Sequence, residues 1–120
     1  PLWSVAPELL KLCYDPCNLL LTDDGERAAE ITSSIPIEAL SMVHLKQSCD
    51  GSVLPMFVTE RAFGHEGNRE DGIDWPQQLT LLNDRRYVGP LLFEIAPGRD
   101  ARQHLSEGRR WVIDRLEPAD

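Results

Sequence analysis

Cys13 and Cys17 stand four residues apart, a spacing at which two thiolates can share one zinc ion, with His44 or Cys49 as a distant third ligand. Pro16 sits between the two, and no second close Cys or His pair completes a four-ligand set. The thiols therefore read as free, buried or half-buried side chains, and a 13–17 cross-link is their other use. His65, Glu66, Glu70, Asp71 and Asp74 gather donors for a divalent cation. They lack the Asp/Asn alternation of a helix-loop-helix calcium site, so they read as a solvated acidic loop. His104 and Glu107, three residues apart, share one helix face as a surface pair. Pro1 offers a secondary amine, but the residues after it form no catalytic pattern. There is no Gly-x-x-x-x-Gly-Lys phosphate loop and no Gly-x-Ser-x-Gly elbow. The expectation is no catalytic residue, no metal, no cofactor and no enzyme.

Binding is the remaining chemistry. Trp75-Pro76 closes an acidic, glycine-rich stretch from Gly64 that has almost no apolar content. An aromatic there either anchors a partner or pins the loop to the body. His65 lies in the same stretch, and Arg85 and Arg86 bring adjacent positive charge. Trp75, His65, Arg85 and Arg86 are the candidate binding residues.

The elements that position them follow from periodicity. Ala101, Leu105, Gly108, Val112 and Leu116 recur at steps of four, three, four and four, with Trp111 and Ile113 beside the stripe and Pro118 as a stop. That spacing predicts a closing amphipathic helix. Everything before Pro97 reads as short strands split by turns. Residues 17–32 read as a hairpin turning at Asp23-Asp24-Gly25, with Ala28 and Ala29 weakening its return arm over Arg27 to Thr32. Met42 to Lys46, Val53 to Thr59, Gln78 to Leu82 and Tyr87 to Ile95 read as further strands. Pro55 pushes one of them to an edge, and Gly89-Pro90 bends another. Cys49-Asp50-Gly51-Ser52 and Asn83-Asp84-Arg85-Arg86 read as turns. The expected fold is mainly β (α+β): a six- to seven-stranded antiparallel curled sheet or half-open barrel closed by a C-terminal amphipathic helix.

That layout resembles the pleckstrin-homology superfold, which includes phosphotyrosine-binding domains. Leu19-Leu20-Leu21-Thr22-Asp23-Asp24-Gly25 carries the resemblance as a strand and turn. Ser34-Ile35-Pro36-Ile37 with Val43 and Arg110-Trp111-Val112 with Ile113 and Leu116 carry the rest. The resemblance implies a barrel of two sheets with one end plugged by the last helix, its tryptophan packed inside. It does not imply a lipid site, because Leu12 to Asp23 contains no base.

Composition narrows the partners. At 120 residues the chain suits one domain, 1–120, cut from a larger protein. Its net charge is −8, and Lys11 and Lys46 are its only lysines. A nucleic acid or an anionic, phosphoinositide-bearing surface would be repelled by that field. No apolar stretch is long enough to span a bilayer, and three cysteines with no signal segment suit a cytoplasmic location. The expectation is a non-catalytic protein–protein interaction module of a larger intracellular protein. The alternative is a stand-alone acidic inhibitor or immunity-type protein that neutralises a basic partner.

Overall fold

Val43 and Leu45 are wholly buried, and the strand that carries them is the centre of the molecule. It is β2 (Leu40–Leu45), flanked by β1 (Leu12–Tyr14) and β5 (Leu91–Phe93). In this computed structural model, which describes residues 9–19, 27–49, 52–55 and 72–116, both pairings of β2 are parallel. Between β1 and β2 come α1 (Pro16–Leu19), α2 (Ala28–Ser34) and a 3-10 turn (Ile37–Ala39). A hairpin of β3 (Gln47–Cys49) and β4 (Ser52–Leu54) follows β2, then α3 (Trp75–Asp84), β5 and α4 (Ala101–Leu116). Strand, helix, strand, helix, strand, helix with each strand beside the next is three consecutive β/α units.

The three units share one core. Tyr14, Leu40, Val43 and Leu45 of the sheet pack with Ala28 of α2, Trp75, Leu79 and Leu82 of α3, and Val112 of α4. All three long helices thus cover the same face of the sheet. The opposite face carries Cys13, Met42, His44 and Leu92, and none of these is buried.

The structure corrects the expected antiparallel, mainly β fold: the three-stranded sheet is parallel, and β3–β4 is the one antiparallel pair among the described residues. Two expected strands are helices. Gln78 to Leu82 lies inside α3, where Trp75, Gln78, Leu79 and Leu82 are buried at helical spacing. Asp74 starts that helix by accepting from Gln77 N–H at 3.1 Å, and Pro76 suits its first turn. The hairpin over 17–32 is replaced by α1 and α2 on either side of residues 20–26, which lie outside the described residues. Ala28, Ile31, Thr32 and Ile35 form α2's inward stripe, and alanine favours helix over strand.

Other expectations hold in whole or in part. α4 spans Ala101–Leu116 and β2 covers most of Met42 to Lys46, while of the strand expected over Tyr87 to Ile95 only Leu91–Phe93, directly after the Gly89-Pro90 bend, is β5. Cys49 pairs with Ser52 across the expected turn, but of the strand expected over Val53 to Thr59 β4 holds only Val53 and Leu54 and ends before Pro55, and 56–59 lie outside the described residues. No helix among the described residues is long and apolar enough to cross a membrane.

Candidate functional site

Parallel strands point their C-terminal ends the same way, so the residues that follow them gather on one rim. Asp15 follows β1, Lys46 follows β2, Glu94 follows β5, and His44 lies near the end of β2. Lys46 Nζ donates to Asp15 Oδ2 at 2.8 Å and to Glu94 Oε2 at 3.1 Å. His44 Nδ1 lies 3.4 Å from the same Glu94 oxygen and 3.9 Å from the same Asp15 oxygen. Four ionisable side chains from three strands therefore meet around two oxygen atoms.

Each is placed by local chemistry. In β2–β5, His44 pairs with Leu92 and Leu45 with Phe93, so Lys46 comes beside Glu94. Glu94 N–H donates to Leu45 O at 3.0 Å, which carries the pairing past the strand end. Between β1 and β2 the register jumps: Leu12 faces Leu40, but Cys13 faces Met42. Ser41 is the extra residue, and its hydroxyl donates to Leu12 O at 2.9 Å. Without that bulge Asp15 would fall beside Val43 on the buried face; with it, Asp15 comes beside His44. Asp15 also accepts from Asn18 N–H through Oδ1 at 3.3 Å, leaving Oδ2 for Lys46. The Asp15-Pro16 pair that interrupts the strand is thus the start of α1.

Lys46 is held from behind. Its single carbonyl accepts from Trp75 Nε1 at 2.7 Å and from Cys17 Sγ at 2.8 Å. The adjacent Gln47, wholly buried, donates through Nε2 to Ile73 O and accepts from Ile73 N–H through Oε1, both at 2.9 Å. These bonds tie the segment before α3 to the end of β2.

The electrostatics keep Lys46 and Glu94 charged. Donation from Lys46 holds the Glu94 carboxyl below the usual carboxylate range. Burial alone would lower the Lys46 ammonium, but its bonds to Asp15 and Glu94 outweigh this and raise it. Burial pushes the Cys17 thiol up to about 12, so it stays a neutral donor to Lys46 O.

Of the residues proposed from sequence, Trp75, Arg85 and Arg86 do not converge. Trp75 is fully buried as the first residue of α3, and its indole secures Lys46. Arg85 and Arg86 lie at the other end of that ten-residue helix, about 15 Å away. The Arg85 guanidinium donates to Thr32 O and Ile35 O, capping the carbonyl end of α2. Arg86 adopts φ 56°, with its N–H on Asn83 O and that of Tyr87 on Leu82 O, which closes α3. His65 lies outside the described residues. Of the proposed zinc donors, Cys13 is exposed, Cys17 is buried beneath Lys46, and His44 faces carboxylates instead of thiols. Asp15, Lys46 and Glu94 escape sequence reasoning because no local spacing links positions 15, 44, 46 and 94. Their one common signal is a polar residue at the end of an apolar run.

A family model described as xylose isomerase-like TIM barrel matches residues 4–115. No curated protein and no solved structure matches the chain. The family match, with the parallel sheet, overturns the pleckstrin-homology resemblance. It also overturns the reading as a non-catalytic interaction module and non-enzyme, since such barrel domains are usually enzymatic.

Proposed function

The chain belongs to the xylose isomerase-like TIM-barrel family, and from that premise we propose that it carries part of the active site of an enzyme moving protons on a polyhydroxylated, sugar-like carbonyl compound. One observation carries the reading: Asp15, His44, Lys46 and Glu94 meet at the C-terminal ends of adjacent parallel strands. That rim is where barrel enzymes keep their chemistry. The described residues supply three consecutive strands, whereas such a barrel closes with eight. Their uncovered face, with Cys13, Met42 and Leu92, is the side that points into a barrel.

The roles follow from placement. Carboxylates beside His44 Nδ1 favour the proton on that nitrogen and leave the Nε2 lone pair free to act as base. Nε2 takes the proton from a carbon next to a carbonyl. The electron pair moves onto the carbonyl oxygen, which the Lys46 ammonium faces and stabilises. Return of that proton to the former carbonyl carbon, with the proton of the adjacent hydroxyl passing to the former carbonyl oxygen, completes an isomerisation, with no net oxidation and no other reactant. Asp15 and Glu94 keep Lys46 charged and fixed.

The test is solvent-deuterium incorporation into a panel of aldoses and ketoses, followed by NMR with the full chain. Exchange at the carbon beside the carbonyl is expected, falling about 10²–10⁴-fold in His44→Gln. A full chain that exchanges no member of the panel would remove the reading.

A further inference from the structure

Asp15, His44 and Glu94 each offer one ligand atom, and these atoms lie within 4.8 Å of one another. Two carboxylates and an imidazole would suit a divalent ion such as manganese or zinc. The arrangement does not fit one, because the seat is taken. Lys46 Nζ lies 2.8 Å from Asp15 Oδ2 and 3.1 Å from Glu94 Oε2. A metal bound to those oxygens at roughly 2.0–2.6 Å would share both of its anionic ligands with an ammonium ion.

We propose that the Lys46 ammonium is the resident cation of this site, a tethered positive charge standing where a divalent metal would otherwise sit. Its anchoring supports this as much as its contacts. A lysine that merely neutralised surface acids would need no fixed backbone. Here the one carbonyl of Lys46 is held by two buried donors, Trp75 Nε1 and Cys17 Sγ. The next residue, Gln47, is locked to both backbone groups of Ile73. The side chain is about one-tenth exposed and has few other directions open to it. An ammonium also donates hydrogen bonds, and two of its three N–H groups are engaged by the described residues. Among the described residues the third has no acceptor, and an incoming oxygen is the acceptor proposed for it. The placement of the cation stands independently of the proposed reaction, and only its use against a substrate oxygen rests on that reading.

The test is Mn²⁺ binding to the full chain, followed by the electron-paramagnetic signal of the free ion. The unaltered protein should bind Mn²⁺ no more tightly than the millimolar range. Lys46→Met should tighten binding by about tenfold or more, and adding Asp15→Asn should reverse the gain. One-to-one micromolar binding by the unaltered protein would overturn the proposal, as would a Lys46→Met protein with no gain. If Lys46→Met does not fold, the unaltered protein decides alone. A melting temperature unchanged by chelator and by about 1 mM Mn²⁺ supports the proposal, and a rise of several degrees with the metal overturns it. These measurements read metal occupancy, not turnover, so they can fail while the deuterium-exchange assay succeeds, and the reverse.

Discussion

Two polar clusters lie on opposite sides of the same short sheet, and they serve different ends. On the helix side, the Tyr14 and Thr32 hydroxyls share a hydrogen bond at 2.6 Å, and Thr32 also donates to Gln78 Oε1. All three residues are buried. No member is charged: burial raises the Tyr14 hydroxyl and keeps it protonated. This cluster joins β1, α2 and α3, and it is closed to solvent. At the strand ends, Asp15, His44, Lys46 and Glu94 are all ionisable, and Glu94 is 46 % exposed. A neutral, satisfied cluster under a helix layer is scaffold. A charged one on the open rim retains free energy in a form that a ligand can use. The comparison teaches that burial and hydrogen bonding alone do not mark a site; charge together with access does.

The largest break should come at the residue that serves both sides. Trp75→Ala removes a wholly buried aromatic and the donor to Lys46 O, so it should cost about 3–5 kcal/mol in denaturant melts. Trp75→Phe keeps most of the volume and should cost about 1–2 kcal/mol, the range for one buried hydrogen bond. If Trp75→Phe melts like the unaltered protein, the indole bond is not what secures Lys46.

Lys46→Met should cost about 3 kcal/mol, the lower end for breaking a buried pair, because Asp15 is left buried while Glu94 reaches water. It should also suppress the deuterium exchange. Gln78→Leu attacks the opposite cluster and should cost about 0.5–1.5 kcal/mol by removing one buried hydrogen bond, since Thr32 keeps Tyr14 and Ala28 O as partners, with exchange unchanged. Chemical melts and exchange rates measured on both variants test the division directly. Loss of exchange in Gln78→Leu at a temperature where it is folded would erase the distinction.

Glu94→Gln should cost about 0–1 kcal/mol, since its carboxylate is half exposed. Its signature is in the pH profile. The Glu94 carboxyl is held low in the fold, so its pairing contributes stability above the ordinary carboxylate range and loses it as pH falls through the folded value. Lys46 is held high, so its share is present below the ordinary lysine range and is lost as pH rises through the folded value. Glu94→Gln should flatten the acid limb of a melting-temperature profile; an unchanged limb would show that Lys46 does not hold Glu94 in solution.

The smallest effect concerns reactivity. With its thiol pushed up to about 12 and buried, Cys17 should resist alkylation at pH 8, while exposed Cys13 reacts readily. Peptide mapping after a timed alkylation separates them. Equal labelling of the two would mean that the Cys17 bond to Lys46 O is absent in solution.

Local order was legible wherever one element carries its own period. The stripe from Ala101 to Leu116 is one face of a helix in any context, and α4 has those bounds. The strand around Met42 to Lys46 was legible because its apolar run is short and bounded. α3 was not read, although Asp74-Trp75-Pro76 is a good helix start and positions 75, 78, 79 and 82 repeat at helical spacing. A five-residue window over Gln78 to Leu82 is too short to tell the two periods apart. The same short window hides α2, despite the helix preference of Ala28 and Ala29. Those two readings turned three β/α units into a row of strands, and the pleckstrin-homology resemblance followed from that.

By itself, the sequence determined the closing helix, the central strand, the acidic balance and the lack of any base from Leu12 to Asp23. These depend on neighbours within a few residues or on totals. The tertiary structure alone decided that the strands run parallel and that their ends bring four ionisable side chains together. Asp15, His44, Lys46 and Glu94 lie up to 79 positions apart in sequence, and each looks ordinary where it stands: a strand breaker, a lone imidazole, one of two lysines, an acid after Phe93. Parallel pairing brings the strand ends together, and the one-residue bulge at Ser41 turns Asp15 to the face that carries His44. Register is a property of pairs of strands, and no single segment of the chain encodes it.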